Sequence, residues 1–84
     1  MAGFNTTIEY KGATFLVQTQ DKGPGAPYVE SLIYKTGRLL ASKKTFYTSS
    51  LSDPSLKRII ADTMEEQHNA ILEDIALGKY DRYL

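Results

Sequence analysis

The sequence of 84 residues contains no cysteine, which excludes disulfide bonds, thiolate metal ligands and a cysteine nucleophile. It also lacks a surplus of either charge, because ten Lys and Arg residues balance ten Asp and Glu residues. Proteins that bind nucleic acid or an anionic membrane normally carry a positive surplus, so this balance counts against both partners. His68 is the single histidine, which leaves few groups for acid–base chemistry at neutral pH.

Long apolar runs are also missing, and residues 1–7 have neither the basic start nor the apolar stretch of a secretory signal. We therefore expect a cytoplasmic protein that does not insert into a membrane. An apolar fraction of 42%, with six tyrosines and three phenylalanines, is typical of a folded globule. At this length the chain can build one modest core, so we expect a single domain over residues 1–84.

The first half of the chain has the alternating pattern of β-strands. Residues 4–10 and 13–19 each place apolar or Thr side chains at every second position, and Lys11-Gly12 lies between them. A two-residue turn there predicts that Ile8 faces Phe15 across the hairpin. Residues 21–27, which are rich in Gly and Pro, predict a surface loop.

Two further strands are predicted at residues 28–34 and 39–46, joined by a turn around Gly37. Asp53 and Pro54 then mark the start of a helix, with Asp53 as its cap and Gly78 as its terminator. Apolar residues at helical spacing support a helix over residues 54–77, and Gln67 and His68 interrupt this stripe.

These elements predict an α+β fold, in which a four-stranded antiparallel sheet, a meander of two hairpins over residues 4–47, is followed by one long C-terminal helix on one face. Residues 78–84 form a tail that the pattern leaves unassigned. A helix of about 24 residues is longer than a four-stranded sheet is wide, so we expect its second half to overhang the sheet. That half would be covered by the loop at residues 21–27 or by a second copy of the chain.

One helix cannot cover both faces of a sheet, and the strands carry apolar residues on both. A three-residue turn at residues 35–37 predicts that Leu32 and Leu40 are paired on the outer face. The pattern also allows the alternative, in which Ile33 and Leu39 face outward. Uncovered apolar surface of this kind often marks an interface. The expected interaction surface comprises Leu16, Leu32, Leu40, Leu72 and Tyr80.

Several stretches resemble a family of small uncharacterised bacterial proteins, found chiefly in deltaproteobacterial genomes. They are FNTTIEY at 4–10, VQTQDKG at 17–23, VESLIY at 29–34, LASKKT at 40–45, MEEQH at 64–68 and GKYD at 78–81. The resemblance extends over nearly the whole chain and implies one complete domain. It implies no activity, substrate or catalytic residue, because none is established for that family.

Glu65 and His68 have the i, i+3 spacing with which one helix can offer two ligands to a metal, but such sites draw further ligands from other helices. The alternative is a partly exposed histidine beside the core, which we favour. A serine nucleophile would need His68 brought against Ser31, Ser42 or Ser52, and no nucleophile motif is present. We therefore expect no enzyme activity, no catalytic residue, no metal and no cofactor.

The second hairpin carries basic residues beside Tyr34 and Tyr47, a combination that can bind a nucleic-acid backbone while stacking bases. Its basic residues are Lys35, Arg38, Lys43 and Lys44. Three hypotheses follow, of which the first is a non-catalytic interaction module that binds a protein partner or weakly associates with itself. The second is a weak nucleic-acid binder using the basic hairpin, and the third is a metal- or carboxylate-dependent enzyme around His68.

Overall fold

The computed structural model describes residues 3–23 and 25–84, within which four strands form one antiparallel sheet in the order β1-β2-β3-β4 and a helix packs on one face. The predicted α+β fold is confirmed. The predictions that concern Met1, Ala2 and Pro24 lie outside the described residues. The elements are β1 (Phe4–Tyr10), β2 (Ala13–Asp21), β3 (Tyr28–Lys35), β4 (Arg38–Phe46) and α1 (Leu56–Ala76), with short 3₁₀ turns at Thr48–Ser50 and Asp81–Tyr83.

The first hairpin has the predicted turn and register. Lys11 and Gly12 both adopt positive φ angles, 50° and 78°, as a two-residue type I′ turn requires. Ile8 consequently lies opposite Phe15. This register places Phe15 on the face beneath α1, where it is completely buried.

The turn of the second hairpin is one residue shorter than predicted. Thr36 and Gly37 have φ angles of 51° and 79°, so this turn also has two residues rather than three. Leu39 pairs with Tyr34, but the next pair is Ala41 with Ile33, and Leu40 is the extra residue of a β-bulge. The predicted pairing of Leu32 with Leu40 is therefore wrong, and Leu32 faces Ser42 instead.

The shorter turn also changes which leucine faces outward. Leu40 packs against the core together with Ala41, whereas Leu39 is 54% exposed on the opposite face. Leu32 and Leu39 are thus the outward leucines of this hairpin, a combination that the predicted three-residue turn does not allow. The inserted residue shifts the phase of β4 and so exchanges the faces of the residues that follow it.

Helix α1 begins at Leu56, two residues after the expected start at Pro54. The Asp53 carboxylate accepts a hydrogen bond from the Ser55 amide at 2.8 Å, so it stabilises the turn before the helix rather than capping the helix itself. At the other end, Gly78 has a φ angle of 85° and ends the helix as predicted. The Lys79 amide bonds to the Asp74 carbonyl at 3.0 Å, which is typical of a Schellman motif.

The helix runs along the strands rather than across them. Its second half packs Ile71 and Ile75 against Phe15 and Ile33, and its first half packs Met64 against the opposite end of the sheet. A helix of 21 residues is about 31 Å long, close to the length of a nine-residue strand, so the lengths match. The expected overhang does not occur, because that expectation assumed a helix lying across the sheet.

Candidate functional site

A row of buried and half-buried polar side chains crosses the layer between the helix and the sheet, and we call it the polar belt. Each strand contributes one hydroxyl to it, and α1 contributes the two residues that interrupt its apolar stripe. Its members are Thr6, Thr19, Ser31, Thr45, Gln67 and His68. The belt separates the apolar core into two clusters, one at each end of the helix.

His68 is held by hydroxyls on both sides of its ring. Its Nδ1 lies 2.8 Å from the Thr19 hydroxyl, and its Nε2 lies 2.8 Å from the Thr6 hydroxyl. Gln67 Nε2 donates a hydrogen bond to the Ser31 hydroxyl. The Ser31 hydroxyl can then donate to the Thr19 hydroxyl, 2.7 Å away, and the Thr19 hydroxyl can donate to His68 Nδ1. This order of donors favours the neutral tautomer that carries its proton on Nε2 and donates to Thr6.

Burial lowers the pKa of His68 below its ordinary value of 6.5, because desolvation disfavours the charged imidazolium. Protonation would also turn Nδ1 into a donor and reverse its bond with Thr19. The residue is 4% exposed, so the favoured prediction of a partly exposed histidine is wrong. The neutral ring acts as a bridge between β1 and β2.

This geometry does not favour a metal site or an activated nucleophile at His68. Both ring nitrogens of His68 are engaged by hydroxyls, and Glu65 is exposed. In residues 3–23 and 25–84, no group of three or more His, Asp or Glu side chains is placed to hold a metal ion. Ser31 lies within the belt but is completely buried, so its hydroxyl does not contact solvent.

The sequence did contain a signal for the belt. Thr6 and Thr19 occupy inward positions of the alternating pattern, where a buried hydroxyl needs a partner. Gln67 and His68 break the apolar stripe of α1 and supply such partners. Matching polar positions on the covered face with polar interruptions of the helix would have identified the contact.

The residues expected to form an interaction surface do not lie on one surface. Leu40, Leu72 and Tyr80 are half-buried and pack against the core cluster around Phe15. Burial also raises the pKa of Tyr80, helped by the nearby Asp74 carboxylate. Leu16 and Leu32 alone remain on the face that α1 does not cover, so the structure separates the expected set into a core part and an outer part.

The outward side chains of β1–β4 form what we call the open face, which no described element covers. Leu16, Tyr34 and Leu39 lie side by side across three strands, and Leu32 lies in the neighbouring row. At the other end, Tyr28 and Phe46 pair with their rings 5.0 Å apart, and Phe46 is 62% exposed. The open face therefore carries six aromatic or aliphatic side chains, all on β2, β3 and β4.

Charge is sparse on the open face. At the outward positions of the described strands, the charged residues are Glu9, Glu30 and Lys44, which gives two negative charges and one positive. Glu30 and Lys44 are direct neighbours on β3 and β4. The Lys44 ammonium also lies over the Tyr28 ring, 5.0 Å from its centroid.

The basic residues of the second hairpin are dispersed. Lys44 belongs to the open face, Lys43 pairs with Ser31 on the covered side, and Lys35 and Arg38 lie at the turn. Tyr47 is buried and donates a hydrogen bond to the Asp21 carboxylate; burial, reinforced by that bond, raises its pKa to about 12. It does not offer a ring for stacking, so the basic and aromatic groups do not form one continuous tract.

In the comparisons with known proteins, no family model, curated protein or solved structure matches this chain. Membership of the bacterial family that the sequence resembles stays a prediction. Within the described ranges, no helix has both the length and the apolar character needed to cross a bilayer.

Proposed function

We propose that this protein is a small, non-catalytic interaction module that associates with a second copy of itself through the open face. The observation that carries the proposal is the uncovered aromatic and aliphatic surface around Tyr34, Leu39 and Phe46. Interface cores are enriched in aromatic residues and depleted of charge, and the open face has both properties. The burial of Ser31 and His68 supports the non-catalytic part of the proposal.

The charge of the chain favours a second copy as the partner that covers the open face. The chain has a formal net charge of zero at pH 7, so two copies do not repel each other at long range. Glu30 and Lys44 lie side by side, and a two-fold axis through the face can set the acid of one copy against the base of the other.

The size of the face predicts weak association. Four strands spaced about 4.8 Å apart and about 27 Å long give roughly 500 Å² per copy, or roughly 1,000 Å² for the pair. This is the lower limit for a specific interface, so we expect a dissociation constant in the micromolar range.

Sedimentation velocity over a range of protein concentrations tests this proposal. The variant Leu39→Glu places a charge at the exposed β4 end of the apolar row and is expected to keep the chain monomeric. Leu51→Glu is the matched control, because Leu51 is 46% exposed and lies outside the sheet. A parent chain that is monomeric at every concentration, or equal effects of the two variants, would contradict self-association through the open face.

One observation favours a second candidate function, weak binding of single-stranded nucleic acid. Lys44 lies over Tyr28 beside Phe46, and such a corner can stack a base while contacting a phosphate. Titration with a fluorescent single-stranded oligonucleotide at low and high salt tests it. Salt-sensitive binding that Phe46→Ala removes would support this function, whereas the surplus of acidic residues on the open face predicts no binding.

A further inference from the structure

A cleft at the turn end of the sheet brings together three basic side chains that the open face does not contain. It lies between the Thr36–Gly37 turn and the Asp81–Tyr83 turn and has a volume of about 530 Å³. Its lining residues are Lys35, Thr36, Arg38, Leu39, Leu40, Arg82 and Tyr83. We propose that this cleft, here called the basic cleft, binds a phosphate monoester that carries an apolar group.

Both walls of the basic cleft are held in place. The Lys35 ammonium donates a hydrogen bond to the Tyr83 carbonyl, and the Asp81 carboxylate pairs with Lys11 at 3.1 Å. Tyr80 anchors the same segment by packing against the core. The segment that carries Arg82 and Tyr83 is thus fixed to the sheet at three points, and the cleft is formed before any ligand binds.

The charge of the basic cleft is not neutralised by the protein. The side chains that line it include Lys35, Arg38 and Arg82, and no carboxylate is among its described lining residues. Elsewhere Lys11, Arg58 and Lys79 form ion pairs, but in residues 3–23 and 25–84 the three cations of the cleft form none. In a chain of zero net charge, such a local surplus favours an anion.

The shape and chemistry of the basic cleft indicate the kind of anion. Arg82 lies over the Tyr83 ring, 5.0 Å from its centroid, and donates a hydrogen bond to the Tyr83 hydroxyl, which orients its guanidinium. Guanidinium groups bind phosphate through paired hydrogen bonds. The volume exceeds what a bare ion fills, and Leu39, Leu40 and Tyr83 offer apolar contact. A dianionic phosphate matches three cations better than a single carboxylate does.

Amide chemical shifts of the labelled protein, followed during titration with phenyl phosphate, test the proposal. Saturable shifts are expected at Thr36, Arg38, Leu40 and Tyr83. Inorganic phosphate lacks the apolar group, benzyl alcohol lacks the charge and benzoate carries only one charge, so each should bind about tenfold more weakly. Equal affinity for benzoate would overturn the assignment to phosphate.

Charge variants separate a specific site from general attraction. Arg38→Gln and Arg82→Gln should each weaken phenyl phosphate binding about tenfold. Arg58→Gln removes the same charge from an exposed position on α1, where the side chain is 83% exposed, and should leave the affinity unchanged. Equal weakening by all three variants, or shifts spread over the whole surface, would overturn the proposal. The same spectra show whether each variant is folded.

Discussion

The two faces of the sheet arise from the same strands and the same alternation, yet they differ in how their side chains are used. On the covered face, Phe15 and Val17 are completely buried beneath α1, and the polar side chains join in the polar belt. On the open face, Leu39 and Phe46 keep more than half of their surface exposed. An apolar side chain in a strand therefore contributes to stability or to association according to whether the helix covers it.

The two faces also differ in the hydrogen bonds that their side chains make. The covered face holds buried or half-buried hydroxyls from all four described strands, and each has a side-chain partner. A one-residue slip of any strand would turn its hydroxyl away from Gln67 or His68, so the belt fixes the register between helix and sheet. The open face has no comparable constraint among its described residues.

The largest expected difference between the faces concerns neighbouring residues of β2. Phe15→Ala should lower the free energy of unfolding by about 3–5 kcal/mol, because it leaves a cavity in the core. Leu16→Ala, on the open face, should cost about 1 kcal/mol or less. Urea denaturation of both variants measures this, and similar losses would mean that the two faces are equally buried.

Two neighbouring residues of β4, Leu39 and Leu40, allow the same comparison of the two faces. Leu40→Glu should destabilise the chain by about 2 kcal/mol, since it brings a charge against the apolar core. Leu39→Glu, one residue earlier and largely exposed, should change stability by less than about 0.5 kcal/mol. Thermal unfolding followed by circular dichroism distinguishes them. If Leu39→Glu is the more damaging, Leu39 rather than Leu40 faces the core, as a three-residue turn would require.

The polar belt is tested by exchanging a hydroxyl for a methyl group on either face. Thr19→Val removes a partner from both Ser31 and His68 and should cost about 1–2 kcal/mol. Thr14→Val on the open face keeps the β-branched shape and loses only an exposed hydrogen bond to Glu9 at 3.4 Å, so it should be nearly neutral. Equal stability of the two variants in urea would show that the belt adds nothing to the covered face.

The covered face should also respond to pH through His68. The pKa of His68 is lowered in the folded state, so the unfolded chain binds the proton more readily. Stability should therefore be constant at high pH and fall as the pH drops below about 6.5, by up to about 1.4 kcal/mol per pH unit. Urea denaturation between pH 8 and 5 measures this slope. His68→Gln should remove it in that range, and an unchanged slope would assign it to another group.

The sequence predicts most of the fold because its strongest signals are local. Lys11-Gly12 between two alternating segments determines both the turn and the pairing of Ile8 with Phe15, and Gly78 marks the helix end. The second turn is less well determined by the sequence, because two-residue and three-residue turns both fit around Gly37. The structure selects the shorter turn and places the extra residue at Leu40.

The burial of His68 depended on contacts far apart in the chain. Its hydroxyl partners lie 49 and 62 residues away, so no local pattern could pair them. The basic cleft is similar, since Arg82 belongs to a tail whose position depends on Tyr80 packing and on the Lys35 contact. Helical spacing and strand alternation specify which face a residue occupies within its own element, but not what lies opposite.

The most direct test of the central claim is a dilution series of the labelled protein, followed by side-chain and amide chemical shifts. Self-association through the open face predicts concentration-dependent shifts at Leu16, Leu32, Tyr34 and Phe46, with a micromolar midpoint. Signals from the exposed side of α1, such as Ala61, should stay constant. Shifts confined to α1, or no shifts over the whole range, would contradict the account.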